Sequence, residues 1–115
     1  MFEKLEKLNK LEYGWNNHGG LPLKSSSVKD FYIFWNKIKD MRLTVEPEFA
    51  PGGDGSLNVE WHKDWKHHLE IEFRGGSVCF YMLADGRSEH QGRTSINDLI
   101  TFLIHRKNNP FIWGC

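Results

Sequence analysis

Four residues in the middle of the chain are of the types that hold metals: His62, His68, and either Glu60 or Glu70. Imidazole and carboxylate together suit zinc and similar ions. The spacing is not that of a His-x-x-x-His helix pair, and no Cys-x-x-Cys knuckle accompanies it. His67 and His68 are adjacent, so on a strand they point to opposite faces. Glu70 and Glu72 stand two apart, about 7 Å on one strand face. That separation permits acid–base work but implies no cleft. Cys79 is a poor nucleophile if Glu72 lies beside it, because a neighbouring carboxylate raises the thiol pKa. Gly52-Gly53-Asp54-Gly55 lacks the lysine and following helix of a phosphate-binding loop, and reads as a turn. No catalytic constellation emerges. The expectation is a protein that is not an enzyme and carries no cofactor. Metal chemistry on His62, His68, Glu60 and Glu70 is the alternative.

A second kind of chemistry is recognition. Trp65 sits between Lys63-Asp64 and Lys66-His67, in a polar stretch that reads as a hairpin loop. Exposed tryptophans are favoured interface anchors. The competing reading folds its ring back on Trp61 or Leu69. Trp15, beside Asn16 and Asn17, is expected to pin its loop to the core.

These residues need elements to position them. Residues 2–12 read as a short helix with Phe2, Leu5, Leu8 and Leu11 every three residues, a stripe that drifts round the helix. Residues 14–24 form a loop by composition. Ser27 to Asp30 resembles a capping box opening the main helix, with Val28, Phe31, Trp35 and Ile38 on one face. Residues 43–49 alternate as a strand, and Pro47 places it at a sheet edge. The Gly52–Gly55 turn leads into Leu57, Val59 and Trp61. Leu69, Ile71 and Phe73 make a third strand, and Gly75-Gly76 a tight hairpin turn. Val78 to Ala84 is a fourth strand. Residues 87–93 add a short strand or a loop. A last helix starts near Ser95, and Asn108-Asn109-Pro110 stops it. The apolar tail Phe111–Cys115 either caps the core or docks on a partner.

The predicted fold is therefore α+β: two N-terminal helices, a four-stranded antiparallel meander and a C-terminal helix, with the helices on one face. It is one domain: N-terminal helix and loop to 24, main helix 25–42, sheet 43–93, C-terminal helix 94–107, tail 108–115.

Gly14-Trp15-x-x-x-Gly19-Gly20-x-Pro22, Asp54-Gly55-Ser56-Leu57-x-x-Glu60-Trp61 and Leu69-Glu70-Ile71-Glu72 together resemble a family of short bacterial "hypothetical" proteins. These share a glycine-tryptophan loop, a helix, and a glycine-rich turn entering a strand that ends Glu-Trp. The resemblance covers roughly residues 5–105. The chain departs from the pattern in its few prolines before Gly52 and in its apolar tail. The resemblance implies a compact α+β fold of bacterial or mobile-element origin, and brings no activity with it.

Strand alternation places the remaining side chains. With Leu57, Val59, Trp61, Leu69, Ile71 and Phe73 turned to the helices, Glu60, Glu70, Glu72, His62 and His68 point outward. The Gly75-Gly76 turn sets Cys79 opposite Glu72, Tyr81 opposite Glu70 and Leu83 opposite His68. Two registers remain open for the hairpin around Trp65. One pairs Glu60 with Glu70 and His62 with His68, setting like charges opposite. The other pairs Glu60 with His68 and Asn58 with Glu70. In both, the outer face collects Glu46, Glu48, Glu60, Glu70 and Glu72, with His62, His68, Tyr81 and few basic residues. It is either a solvated sheet face or a contact surface.

Composition bounds the rest. Fifteen basic and fifteen acidic residues cancel over 115 residues. That argues against a dedicated nucleic-acid binder, as does the scarcity of cations beside Tyr81. Residues 47–92 carry four basic and eight acidic groups, a local excess of four negative charges. Cys79 and Cys115 form no disulfide framework and read as reduced thiols. No apolar run approaches the ~20 residues that cross a bilayer, and the charged start Met1-Phe2-Glu3-Lys4 is no signal peptide. A cytoplasmic location is expected. The leading expectation is a small non-enzymatic protein-interaction module of inhibitor, antitoxin-like or phage or plasmid counter-defence type. It would bind a basic protein surface through Glu60, Trp65, His68, Glu70, Glu72 and Tyr81.

Overall fold

The main helix is built from an aromatic stripe. Phe31, Phe34 and Ile38 are fully buried along α2 (Ser25–Ile38). In this computed structural model, residues 2–15, 19–38 and 46–104 are described, the side chains of 89–91 excepted. The helix starts two residues before the expected cap. Ser27 is buried inside its first turn, and its amide donates to Lys24 O at 3.0 Å. The reason lies upstream: Lys24 N donates to Gly55 O at 2.9 Å, which fixes the chain directly ahead of the helix. Asp30 also leaves the capping role. Its Oδ2 accepts a hydrogen bond from Gly76 N at 2.7 Å, tying the helix to a turn of the sheet.

The first helix, α1 (Glu3–Leu8), is shorter than the expected 2–12. A three-residue apolar repeat drifts off the core, so Leu5 alone is fully buried in it. Beyond Leu8 the chain tightens, with Lys10 N bonded to Lys7 O and Leu11 N to Leu8 O.

The sheet has five strands rather than four: β1 (Glu48–Pro51), β2 (Leu57–Asp64), β3 (His67–Phe73), β4 (Val78–Ala84) and β5 (Arg87–Thr94). They pair antiparallel in the order β1-β2-β3-β4-β5. The extra strand is β5, whose residues carry no apolar alternation to announce it. β1 begins five residues later than the expected strand start, and residues 39–45 lie outside the described set. It occupies the edge, where the proline within it, Pro51, costs no internal ladder bond.

Leu57, Val59, Trp61, Leu69, Ile71 and Phe73 point to one side, with Val78, Phe80 and Met82 beside them. They form one core with residues of α1, α2 and α3 (Ile96–Ile104). Phe31 and Phe34 meet Phe73 with ring centroids 5.8 and 5.7 Å apart, edge-on. Ser95 caps α3, its Oγ accepting from Asp98 N at 3.1 Å. Arg106, Lys107 and the tail Phe111–Cys115 lie outside the described residues.

Two loops are stitched together beside this core. Asp54 Oδ1 accepts from both the amide and the hydroxyl of Ser56, and Gly52 N donates to Ser56 O, closing the glycine-rich turn. Leu21 N donates to Gly53 O at 2.9 Å. Trp15 Nε1 donates to Leu21 O at 2.8 Å, so this half-buried tryptophan closes its own loop and is not among the residues packed on the core. Gly55 is buried at φ +93°, and a Cβ there would lie 2.8 Å from Lys24 Cγ. No helix among the described residues is long and apolar enough to cross a membrane.

Candidate functional site

The face of the sheet turned away from the core carries the polar side chains, and the register decides how they meet. β2 and β3 pair Glu60 with Glu70 and His62 with His68. The alternative, Glu60 with His68, is not adopted. The tip explains why. Trp65 and Lys66 form a two-residue turn, Asp64 pairs with His67, and Asp64 Oδ1 accepts from Lys66 N at 2.9 Å. A bulge between His62 and Asp64 absorbs Lys63 and re-phases the strand.

This register sets three carboxylates in a row. Glu48 of β1 lies opposite Glu60, Glu60 opposite Glu70, and Glu70 opposite Tyr81. The next row, toward the tip, holds His62, His68 and Leu83. The row on the other side holds Ala50, Asn58, Glu72, Cys79 and Arg93. Tyr81, Cys79 and Leu83 thus stand where the Gly75-Gly76 turn required. Both of those glycines have positive φ, and Arg74 N bonds to Ser77 O.

His68 lies between two glutamates of this row. Its Nδ1 is 3.5 Å from Glu60 Oε1, and its Nε2 is 3.4 Å from Glu70 Oε2. Its ring is mostly covered, with 17% of the side chain exposed, and it leans on Tyr81 with centroids 6.3 Å apart. His62 Nδ1 lies 3.1 Å from His68 Nδ1. Glu60, His62 and His68 each offer one ligand atom within a sphere where all lie within 4.8 Å of one another.

The face is less purely acidic than composition suggested. Arg93 of β5 sits opposite Cys79, and its Nε donates to Ser77 Oγ at 3.2 Å. Arg74 Nη1 holds Glu72 Oε1 at 2.7 Å, and its Nη2 lies 3.7 Å from Asp54 Oδ2. Glu72 is therefore engaged, which removes Glu70 and Glu72 as a free acid–base pair. In the sequence, residues 87–93 are open between strand and loop, so Arg93 has no assigned place on this face there. Around these residues lies a shallow basin of about 390 Å³, bordered by Asn58, Glu70, Glu72, Cys79, Tyr81 and Arg93. A second recess of about 240 Å³ is bordered by Lys4, Glu48, Asn58, Glu60 and Glu70. Glu70 borders both.

Trp65 does not fold back. Its side chain stands 75% exposed on the turn, with Lys66 Nζ 5.0 Å above its ring. Trp61, which it might have covered, is buried on the opposite face. The tip is braced instead by His67, a residue that pattern reading left without a role. Its Nδ1 meets Asp64 Oδ1 at 2.9 Å and its Nε2 meets Asp85 Oδ1 at 3.1 Å. Gly86 N bonds to Lys66 O at 3.0 Å. Two adjacent turns are thereby joined. The hydrogen bond from His67, and then the Lys66 amide, hold the Asp64 carboxyl below its ordinary range.

Eighty-six residues of the chain, 75% of it, align at 24% identity with the HTH-type transcriptional regulator SgrR of Shigella flexneri. The same protein from Shigella flexneri serotype 5b (strain 8401) aligns identically. The match spans only 15% of that regulator's length. No family model matches the chain. No solved structure matches it.

Proposed function

We propose that this protein is a small interaction module that docks a basic protein surface on the outer face of its sheet, with Trp65 as an anchor at the hairpin tip. The observation that carries the reading is the row Glu48, Glu60 and Glu70 on three neighbouring strands. Like charges directly opposite across a sheet destabilise it by a few tenths to about 1 kcal/mol per pair. The fold keeps two such oppositions side by side. A cationic partner would offset that repulsion on docking and be steered by it beforehand. No described element covers this face, and the basin beside Tyr81 gives it relief. Trp65 is large, exposed and held on a braced turn, which limits the entropy lost when it is gripped. Three carboxylates beside Tyr81 repel phosphates, so a nucleic-acid partner fits poorly despite Arg93. An inhibitor or antitoxin-like role would suit a module of this size.

The test is affinity capture from bacterial lysate with the wild type and with a Glu48→Lys/Glu70→Lys variant, read by mass spectrometry at low and high salt. A protein retained by the wild type, released by salt and absent from the variant is the expected result. The same protein on both baits, or none on either, would sink the proposal.

A further inference from the structure

We propose that Glu60, His62 and His68 form a binding site for a divalent transition-metal cation of the zinc class, with Glu70 positioning His68. The claim goes beyond the contact reading and does not depend on it. Its first support is geometric. Tetrahedral zinc with bonds of 2.0–2.1 Å needs its ligand atoms about 3.3 Å apart. His68 Nδ1 stands 3.1 Å from His62 Nδ1 and 3.5 Å from Glu60 Oε1. These two separations bracket that edge, and all three ligand atoms lie within 4.8 Å of one another, so closing the site round a cation calls for rotation of the Glu60 and His62 side chains.

The second support is the position of Glu70 behind the His68 ring. A histidine binds metal through an unprotonated nitrogen, and the hydrogen bond of its other nitrogen decides which one that is. Glu70 Oε2 faces His68 Nε2 at 3.4 Å. Glu70 thus stands on the Nε2 side of the ring, and the Nδ1 side faces His62 and Glu60. This is the arrangement by which a carboxylate orients a metal-binding imidazole.

The third support is placement. The ligands lie on paired strands, His62 directly opposite His68 and Glu60 two residues along β2. His68 is packed against Tyr81, and the bulge at Lys63 follows His62 immediately. Bulges commonly re-aim side chains beside functional sites. With a cation, both lone pairs have a common target, and the charge of Glu60 beside Glu48 and Glu70 is offset. Three protein ligands leave a fourth position open, as in zinc sites that bind an outside group.

The experiment titrates chelator-stripped full-length protein with Zn(II) by calorimetry, and with Co(II) by visible absorption. One ion per chain and the intense bands of a tetrahedral Co(II) centre are expected. His62→Ala and His68→Ala should abolish both. Glu70→Gln should weaken Zn(II) about 10-fold or more while keeping the stoichiometry. Glu72→Gln, two residues further along the same face, should leave the affinity unchanged. Circular dichroism of each variant shows that the sheet is retained. Weak binding unaffected by His68→Ala, or octahedral Co(II) spectra only, would overturn the site. Repeating the lysate capture with chelator present separates this claim from the contact reading.

Discussion

Glu60 and Glu70 face each other directly across β2 and β3, and Glu60 faces Glu48 on its other side. A sheet selected for stability alone would place a lysine or threonine in that row. The glutamates lie on the face that no described helix covers, two residues along the strands from the His62–His68 pair.

Trp65 should matter for binding and not for folding. It stands 75% exposed, with Lys66 Nζ 5.0 Å over its ring. Trp65→Ala is expected to leave the melting temperature within a degree or so. Affinity for the captured partner should fall at least 10-fold, in line with tryptophan anchors elsewhere. A melting temperature that drops with unchanged affinity would make the residue structural.

The glycine-rich turn should discriminate between two of its own residues. Gly53 has φ +77° and open space around it, whereas Gly55 has φ +93° and Lys24 Cγ at 2.8 Å from a built Cβ. Gly53→Ala should cost about 1 kcal/mol, the penalty of left-handed backbone for an L residue. Gly55→Ala should cost clearly more, because Pro22 O also crowds the site at 3.3 Å. Chemical denaturation of both variants checks the order.

Asp30 should act on the sheet, not on its own helix. Its Oδ2 accepts from Gly76 N. Asp30→Ala should destabilise by about 1 kcal/mol. The added hydrogen exchange should appear at the Gly76 amide in the β3–β4 turn. Faster exchange confined to the first turn of α2 would restore the capping role.

Acid should loosen the turn at Asp54. The Ser56 hydroxyl, and next the Ser56 amide, hold its carboxyl below the ordinary value of 3.8. A depressed folded-state pKa contributes stability above the unfolded value, and that stability is lost as pH falls through the folded one. The wild type should therefore lose stability from near pH 4 downward more steeply than Asp54→Asn. Parallel pH curves for the two proteins would contradict this.

Much of the fold was legible because alternation is a strong signal. Leu57, Val59, Trp61 and Leu69, Ile71, Phe73 announce one buried face each, and the tight Gly75-Gly76 turn fixes every pairing between β3 and β4. Residues 87–93 stayed open between strand and loop for the opposite reason: Arg87 to Thr94 has no apolar period and is held by its ladder with β4. With that choice open, Arg93 had no fixed place beside Cys79. The Glu60–Glu70 opposition was one of two open registers, because charge alone argues against it. The two-residue turn and the Lys63 bulge outweigh that cost, and His68 stands between the carboxylates. His67 had no pattern to mark it, since its partners Asp64 and Asp85 belong to different turns.

The central claim is that the glutamate row is kept for a partner at the expense of stability. Thermal unfolding and partner capture on the same Glu48→Lys/Glu70→Lys variant test it most directly. The account predicts opposite signs: a melting temperature raised by a few degrees, as relief of one or two like-charge oppositions would give, together with loss of the captured protein. A variant that is both less stable and capture-deficient, or one that captures as well as the wild type, would contradict it.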